Sequence, residues 1–313
     1  MTFTELRYII AVSKEKHFGR AARSCNVSQP TLSIAIKKLE EELGVSLFDR
    51  SLNEIIVTDV GERIIEQAQL IIDEVDNLIN IANLQKNELD GTFRLGLIFT
   101  VAPYLLPKLI VSLHKNAPKM PLILEENYTS VITESLKKGS LDAIVVAEPF
   151  QETGIETIPL YDEPFFVIVP KGHRFEEYDC ISSKQLVKEK VLLLTEGNCM
   201  RDNILSNCRE LAVQQTKLMG IANVLQGSSI NTIRHMVASG LGISILPASA
   251  LDENDHLLFS IIPFKPPIPS RRIVLAYRRH FIRIKAVEAI RQAVLASQLR
   301  GVQFIRDYEK TSD

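Results

Sequence analysis

Two cysteines nine positions apart are the residues of this sequence whose type and spacing could perform chemistry. Cys199 and Cys208 bound the stretch Cys199-Met200-Arg201-Asp202-Asn203-Ile204-Leu205-Ser206-Asn207-Cys208, and the 313-residue chain has four cysteines in all. A pair at this spacing could form a structural disulfide, hold a metal, act as a redox switch, or pack as two small core residues. The rest of the sequence has to distinguish these possibilities.

Composition indicates an ordinary globular protein in a reducing compartment. Hydrophobic residues make up 46% of the chain and charged residues 24%, and the length suits about two domains. The N-terminus lacks a signal-peptide pattern, and no apolar run approaches the roughly 18 residues of a membrane span. We therefore expect a cytoplasmic protein that does not enter a membrane. In that compartment lasting disulfides are uncommon, and those that form are mostly transient and redox-sensing.

The surroundings of Cys199 favour a reactive thiol. Cysteine attacks as the thiolate, which helix N-termini and nearby cations stabilise. Cys199 follows a predicted strand and precedes residues 201–208, in which Ile204, Leu205 and Cys208 share one helical face, so we predict that it begins a helix. Nine helical steps of about 1.5 Å separate the two Cα atoms by roughly 13 Å, whereas a disulfide allows no more than about 7 Å. A bridge between these cysteines therefore requires that the helix unwinds.

Other chemistries of the cysteines receive less support. A zinc site is disfavoured because no second close cysteine or histidine pair joins Cys199 and Cys208, and we predict neither a metal nor a cofactor. Taken singly, Cys25, Cys180 and Cys208 are better explained as small buried residues, because free cysteine is among the most buried residue types.

The N-terminal sequence predicts a helix-turn-helix. Apolar residues at helical spacing indicate one helix at the start and a second over residues 18–24, and a short turn follows. Ser28 can cap a third helix that has Pro30 in its first turn and ends at Gly44. In this arrangement the last helix enters the major groove of DNA.

Polar and basic residues gather on the exposed side of this third helix. Residues 14–38 carry six cations against one acid, a local positive charge that a phosphate backbone would attract. Residues 50–58 follow as a two-stranded wing. A helical hairpin that binds protein is the disfavoured alternative, because the polar residues cluster at the start of the helix. We predict double-stranded DNA as the partner, contacted by Ser28, Gln29, Pro30, Thr31, Ser33, Lys37, Lys38 and Arg50.

A long helix over residues 59–88 follows, with apolar residues at intervals of 4, 3, 4, 3 and 4. This spacing is typical of a coiled coil. The alternative is that the stripe packs against its own domain, and the additional isoleucines at 65, 72 and 79 widen it so that it could face both a partner and its own domain. We predict a dimerisation helix that ends in a hinge at residues 89–92, and its interface residues are Ile64, Ala68, Ile71, Val75, Leu78 and Ala82.

The remainder alternates strands and helices and predicts a mainly parallel α/β sheet with helices on both faces. Strands are predicted at 93–98, 122–126, 141–146, 165–169, 191–194, 243–246 and 272–277, and helices at 104–115, 130–138, 231–239 and 281–298. So many strands fit two lobes with a cleft better than one sheet unit. The predicted domains are residues 1–58, 59–90, 91–300 and a loose C-terminal tail over 301–313.

Motifs in order along the whole chain resemble those of LysR-type transcriptional regulators. They include Ala21-Ala22, Val27-Ser28-Gln29-Pro30-Thr31-Leu32-Ser33, Leu47-Phe48-Asp49-Arg50 and Gly240-Leu241-Gly242-Ile243-Ser244. The resemblance implies a winged helix-turn-helix, a coiled-coil linker helix and a two-lobed α/β effector domain like periplasmic binding proteins. It further implies a homo-oligomer, a dimer or tetramer, that acts with RNA polymerase. One departure is the wing, which reads Leu52-Asn53-Glu54 where these regulators commonly carry basic residues.

The stretch Gly197-x-Cys199-x-Arg201-Asp202…Cys208 is similar to that of the peroxide-sensing OxyR subfamily. The resemblance implies that hydrogen peroxide oxidises Cys199, that Cys208 resolves it as a disulfide, and that a cellular thiol reductant resets the pair. The subfamily often has histidine where this chain has Asn198. Of the later arginines, the resemblance favours Arg272 ahead of Arg271 as thiolate stabiliser. The pocket residues so implied are Thr100, Thr129, Asn198, Arg201, Asp202, Arg271 and Arg272.

Three functions follow from these observations. Our hypothesis is a redox-activated transcription factor that is not an enzyme. The alternative is a LysR-type regulator whose inter-lobe cleft binds a small metabolite and whose cysteines are inert. A thiol peroxidase is disfavoured because a DNA-binding domain has no use in such an enzyme.

Overall fold

Capping signals in the sequence set the helices at the start of the chain. The computed structural model describes residues 1–49, 55–83, 88–218, 226–227 and 229–307. The chain divides into two compact units, one comprising Met1–Lys86 with Lys138–Ser140 and the other Asn87–Lys137 with Leu141–Asp313. The first unit contains, in order, α1 (Phe3–Glu15), α2 (Phe18–Ser24), α3 (Gln29–Leu43), β1 (Phe48–Asp49), β2 (Ile56–Val57) and α4 (Asp59–Asn83).

Helix α3 has the ends that the sequence predicts. The Ser28 hydroxyl accepts a hydrogen bond from the Thr31 backbone N–H at 3.3 Å, which satisfies one of the free donors of the first turn. Gly44 ends the helix with φ +70°, a left-handed conformation that glycine adopts without strain. Helix α3 is therefore fixed at both ends, and its Ser28 cap closes the turn from α2, as a helix-turn-helix requires.

The wing is a short antiparallel pair in which Phe48 lies opposite Val57. Its first strand begins before residue 50, earlier than predicted, because the Glu40 carboxylate accepts hydrogen bonds from the backbone N–H groups of Leu47 and Phe48. The predicted wing residues Arg50, Leu52, Asn53 and Glu54 lie outside the described residues. Gly61 allows α4 to start close to the wing, since a Cβ there would lie 2.3 Å from the Leu47 carbonyl oxygen.

Helix α4 contributes to the core of its own unit. Ala68 is 1% exposed and Ile72 is 7% exposed in the cluster that includes Ile9 and Leu39, and Ile64 and Ile71 pack against it. The prediction that Ala68 faces a partner therefore needs correction, because α1 and its neighbours cover it. Farther along, Val75 is half-buried and Leu78 is 66% exposed. The side chain of Ala82 lies outside the described residues.

The second unit is an α/β structure. Its helices and strands are β3 (Phe93–Ile98), α5 (Ala102–Asn116), β4 (Leu122–Asn127), α6 (Thr129–Lys137), β5 (Ala143–Ala147), β6 (Ile155–Pro170), α7 (Ser183–Leu186), β7 (Val191–Leu194), α8 (Cys199–Asn207), α9 (Arg209–Leu218), β8 (Gln226–Gly227), α10 (Ile230–Ala238), β9 (Ile243–Pro247), β10 (Phe259–Pro263), β11 (Ser270–Arg278), α11 (Ile284–Leu295) and β12 (Gln303–Phe304). Short 3₁₀ helices lie at 174–177, 248–250 and 253–257.

Strand β6 joins two lobes, each with its own apolar core. The strand order is β4-β3-β5-β11-β6-β9-β7-β8. Residues 155–164 of β6 pair with β11 in the first lobe, and residues 165–168 pair with β9 in the second. The two-lobed architecture is confirmed, but the sheet is mixed and not mainly parallel. The chain enters the second lobe through β6 and returns through β11, and this return makes the central pair antiparallel.

Two further features concern the ends of the structure. Strand β12 pairs with β6, placing Gln303 opposite Asp162, so the boundary predicted at residue 300 falls just before a strand of this unit. Residues 308–313 lie outside the described part of the chain. Within the described residues, no helix combines the length and the apolar character that crossing a membrane demands.

Candidate functional site

Cys199 begins helix α8, as the sequence predicts. The Asn198 side chain caps this helix by accepting a hydrogen bond from the Met200 backbone N–H at 3.1 Å. Met200 and Ile204 anchor α8 in the core of the second lobe, whereas Cys199 packs against the core of the first. The thiol is partly exposed and lies at a helix N-terminus, where the free N–H groups and the helix dipole favour an anionic sulfur.

Cys208 lies at the opposite end of α8 in a different environment. It is the C-cap residue, its backbone N–H donates to the Ile204 carbonyl at 2.9 Å, and its side chain is fully buried in the second-lobe core. Burial, with a smaller contribution from the charge of Glu210, raises the pKa of this thiol to about 11. Both cysteines are free thiols, and the intervening helix keeps their Cα atoms roughly 13 Å apart.

A small cavity lies against Cys199. Its volume is about 10 Å³, which is room for about one water-sized molecule. The cavity is lined by Ile98, Phe99, Thr100, Asn127, Tyr128, Thr129, Gly197, Asn198 and Cys199. The parallel register of β3 and β4 sets Ile98 opposite Asn127, so the Phe99-Thr100 and Tyr128-Thr129 dipeptides leave the two strands side by side. The structure therefore brings both predicted threonines to the predicted reactive cysteine.

The two threonine hydroxyls differ in their hydrogen bonding. The Thr100 Oγ1 accepts a hydrogen bond from Arg271 Nη1 at 2.9 Å. The Thr129 Oγ1 is buried and has no hydrogen-bond partner among the described residues. A buried hydroxyl without a partner is costly in a folded protein. Thr129, which lines the cavity, thus has an unused donor and acceptor.

Arg271 is the buried cation of this site. Its Nε donates to Glu163 Oε2 at 2.8 Å, and both side chains are 0% exposed. Its Nη2 also donates to the Thr100 carbonyl oxygen at 3.1 Å. Burial acts to lower the pKa of Arg271, but the negative charges of Glu163 and Cys199 outweigh burial and raise it. The guanidinium therefore stays charged, and Cys199 is among the groups that contribute to its raised pKa.

The preference for Arg272 over Arg271 needs correction. In the antiparallel pair of β11 and β6, Arg271 lies opposite Glu163 and Arg272 opposite Asp162. Successive side chains of a strand point to opposite faces, so the two arginines diverge. Arg272 is 44% exposed and binds Asp162 through Nε at 2.7 Å and Nη2 at 2.9 Å. Arg271 instead is the arginine that faces the site.

Two other predicted pocket residues have different surroundings. Arg201 is buried and donates to the Leu194 carbonyl at 3.3 Å, with Glu196 at 3.9 Å. Asp202 is exposed, and partial burial raises its pKa, an effect that Arg201 opposes. Both side chains belong to the surroundings of α8, and neither lines the cavity.

Sequence reasoning missed Glu163, Phe99 and Tyr128. Glu163 stands beside an apolar run and could have been found as an acid that complements an arginine pair, but its partner depends on the register of β6 and β11. The aromatic residues precede the two predicted threonines in identical order, a repeat that was visible in the sequence.

The predicted DNA-facing residues lie at the start and along one side of α3. Ser28, Gln29, Pro30, Thr31, Lys37 and Lys38 are exposed, and Ser33 is half-buried. Lys37 forms an exposed ion pair with Glu41 at 3.8 Å, and such pairs break at little cost. The opposite side of the helix is buried through Leu32, Ile36 and Leu39. The helix thus presents a mostly polar face that also carries Ile34, 69% exposed, while Arg50 lies outside the described residues.

Comparison with known proteins identifies the family. Residues 3–62 match the bacterial regulatory helix-turn-helix protein of the lysR family, and residues 86–298 match the LysR substrate binding domain. The chain is 37% identical over 280 residues to a hydrogen peroxide-inducible genes activator of Haemophilus influenzae, covering 89% of this chain and 91% of that protein.

Solved structures give the same result. A reduced form of OxyR from N. meningitidis is 70% identical, covers 69% of this chain and 100% of its own, and has a TM-score of 0.67. A full-length OxyR variant from Pseudomonas aeruginosa is 43% identical, covers 94% of this chain and 98% of its own, and has a TM-score of 0.69. The resemblance seen in the motifs is confirmed. The chain therefore belongs to the LysR family of transcriptional regulators, and within it to the OxyR subfamily.

Proposed function

We propose that this protein is a DNA-binding transcriptional regulator that hydrogen peroxide switches by oxidising Cys199. The observation that carries the proposal is the small cavity at Cys199, which the start of α8 and two threonines line, one of them hydrogen-bonded to the buried Arg271. Its size suits a molecule near that of water, whereas sites for larger ligands are roughly 300 Å³ or more. The relatives' names, which refer to hydrogen peroxide, agree with this chemistry.

In the proposed reaction the Cys199 thiolate attacks one oxygen of hydrogen peroxide. An S–O bond forms, the O–O bond breaks, and the departing oxygen leaves as hydroxide, which takes a proton from solvent to become water, so sulfur is oxidised to sulfenic acid and the peroxide is reduced. We assign stabilisation of the thiolate to Arg271, which hydrogen-bonds the cavity residue Thr100. We assign binding of the peroxide oxygens to the hydroxyls of Thr100 and Thr129, the second of which has no hydrogen-bond partner among the described residues. Such preorganised donors stabilise developing charge without having to reorient.

Cys208 then resolves the sulfenic acid. Its thiol displaces water from the Cys199 sulfur, which gives a disulfide. Because the helix holds the Cα atoms roughly 13 Å apart and a disulfide needs about 7 Å or less, α8 must unwind first. Two amides oppose the unwinding: Asn203 Nδ2 donates to the Glu148 carbonyl at 2.8 Å, and Asn207 Nδ2 donates to the Ser270 carbonyl at 3.2 Å. Each Cys199–Cys208 pair therefore reacts with one molecule of peroxide. A cellular thiol reductant must reduce the disulfide before the pair can react again.

The refolded segment alters how the protein contacts its operator. We propose that the polar start of α3 reads double-stranded DNA, because its side chains are exposed and its opposite face is buried. Two copies joined along the outer part of α4, which includes the 66% exposed Leu78, would place two such helices on two half-sites. Assembly into a tetramer and contact with RNA polymerase complete the proposal for an activator.

Peptide mass spectrometry of the full chain tests this chemistry. After a small dose of hydrogen peroxide, we expect the wild type to contain a Cys199–Cys208 disulfide. Cys208→Ser should stop at a sulfenic acid on Cys199 that dimedone traps. Cys180→Ser is the matched control, because Cys180 is a half-buried free thiol elsewhere, and it should behave like the wild type. Oxidation that spreads over all four cysteines without preference for Cys199 would contradict the proposal.

A further inference from the structure

The outer wall of the cavity at Cys199 consists of two aromatic rings. Of the residues that line the cavity, Phe99 is 39% exposed and Tyr128 is 38% exposed, and Gly197 is exposed as well. Thr100 is 2% exposed, and Thr129 is half-buried. Solvent therefore reaches the cavity past Phe99, Tyr128 and Gly197.

The two rings hold one another in place. Their centroids are 5.3 Å apart at an interplanar angle of 83°, an edge-to-face contact that aromatic pairs favour. Their backbones are fixed as well, because they directly follow the paired strands β3 and β4, and the Tyr128 carbonyl accepts hydrogen bonds from the first turn of α6. The rings thus form a rigid rim around an opening that leads to the thiol.

We propose that Phe99 and Tyr128 are specificity-determining residues, which admit hydrogen peroxide to Cys199 and exclude hydroperoxides that carry bulky organic groups. This inference rests on the proposed reaction of Cys199 with peroxide. The reaction is the same for any hydroperoxide ROOH. The thiolate sulfur binds the outer oxygen, the O–O bond breaks, and RO leaves with the proton as ROH. Sulfur is oxidised and ROOH is reduced to an alcohol, or to water when R is hydrogen.

Selectivity then arises from the space beside the thiol. The cavity has room for about one water-sized molecule, so the organic group of a bulky hydroperoxide bound at Cys199 would have to extend outward past Phe99, Tyr128 and Gly197, and two of these three residues carry the rings. Moving either ring aside would break the edge-to-face contact that the two rings make with one another. Removal of either ring opens this path and leaves Thr100, Thr129 and Arg271 in place.

The test compares rate constants for Cys199 oxidation by hydrogen peroxide and by cumene hydroperoxide in the reduced full chain. Alkylation quenching and peptide mass spectrometry follow Cys199 separately from the other thiols. In Phe99→Ala and Tyr128→Ala, we expect the ratio of the cumene hydroperoxide rate to the hydrogen peroxide rate to rise at least about tenfold, as steric pockets typically discriminate. Tyr128→Phe keeps the ring and should keep the wild-type ratio.

A matched control lies in the second lobe. Tyr178 is 48% exposed and packs edge-to-face on Phe175 with centroids 6.0 Å apart, so Tyr178→Ala removes a similar ring at a distance from the cavity and should leave the ratio unchanged. Ratios unchanged in both Phe99→Ala and Tyr128→Ala, with circular dichroism showing folded proteins, would overturn the inference alone. A wild type whose Cys199 fails to react with hydrogen peroxide would overturn the proposed function as well.

Discussion

Replacement of Thr129 by valine should separate stability from reactivity. The Thr129 hydroxyl is buried without a hydrogen-bond partner among the described residues, and an unsatisfied buried polar group costs about 1–3 kcal/mol. Valine has nearly the same shape and no hydroxyl. We therefore expect Thr129→Val to leave the free energy of unfolding unchanged or raise it by up to about 2 kcal/mol.

The same substitution should slow the oxidation of Cys199. A hydrogen bond to a charged group contributes about 1.5–3 kcal/mol, which corresponds to a rate lower by about 10- to 100-fold if the bond forms in the transition state. Urea unfolding of the reduced protein measures the stability. Alkylation quenching after mixing with hydrogen peroxide measures the rate.

Thr133 provides the matched control on the same helix. Its Oγ1 donates to the Thr129 carbonyl at 2.6 Å, and its side chain is buried. Thr133→Val should therefore lower the free energy of unfolding by about 1 kcal/mol and leave the oxidation rate unchanged. A Thr129→Val variant that is destabilised to a similar extent and reacts at the wild-type rate would refute the role of Thr129 in binding peroxide.

Further predictions concern the buried thiol, the helix anchor and the hinge. Cys208 has its pKa raised from 9.0 to about 11. Because the unfolded chain ionises this thiol at a lower pH than the folded protein does, the free energy of unfolding of the wild type should fall by about 2–3 kcal/mol as the pH rises from 9 to 11. Cys208→Ala should lack this loss, and urea unfolding across pH measures both proteins. Loss of the Asn203 bond to Glu148 in Asn203→Ala should speed disulfide formation about fivefold in time-resolved mass spectrometry. Arg283 donates to the carbonyls of residues 88 and 90–92, so Arg283→Met should destabilise the protein by about 2–4 kcal/mol in thermal unfolding, and Arg283→Lys by less.

Local signals in the sequence explain which parts of the structure could be predicted. The Ser28 cap and the Gly44 end of α3 depend only on nearby residues, and both are confirmed. The same holds for β3 and for the start of α8 at Cys199. Each of these features is set by capping, glycine conformation or an apolar run within about ten residues.

Features that depend on distant pairing could not be predicted in the same way. Only the apolar second half of β6 was recognised, because its first half contains acids and prolines that do not resemble a strand until β11 lies beside it. The choice between Arg271 and Arg272 depends on that register, which sets one arginine inward against Glu163 and the next outward against Asp162. Strand β12 depends on the same central strand.

The burial of Ala68 shows a further limit of pattern reasoning. Heptad spacing identifies an apolar stripe on α4 but does not say what covers it. In the structure α1 and its neighbours cover the first part, and Leu78 is left exposed farther along. Sequence alone could not assign the two parts to different partners.

The central claim is that oxidation of Cys199 changes how the protein contacts DNA, and footprinting of the full chain on its operator tests it most directly. The footprint should be recorded before and after a small dose of hydrogen peroxide for the wild type, Cys199→Ser and the Cys180→Ser control. We predict that the footprint changes in the wild type and in Cys180→Ser and stays the same in Cys199→Ser. A Cys199→Ser protein whose footprint changes as the wild type's does would contradict the account.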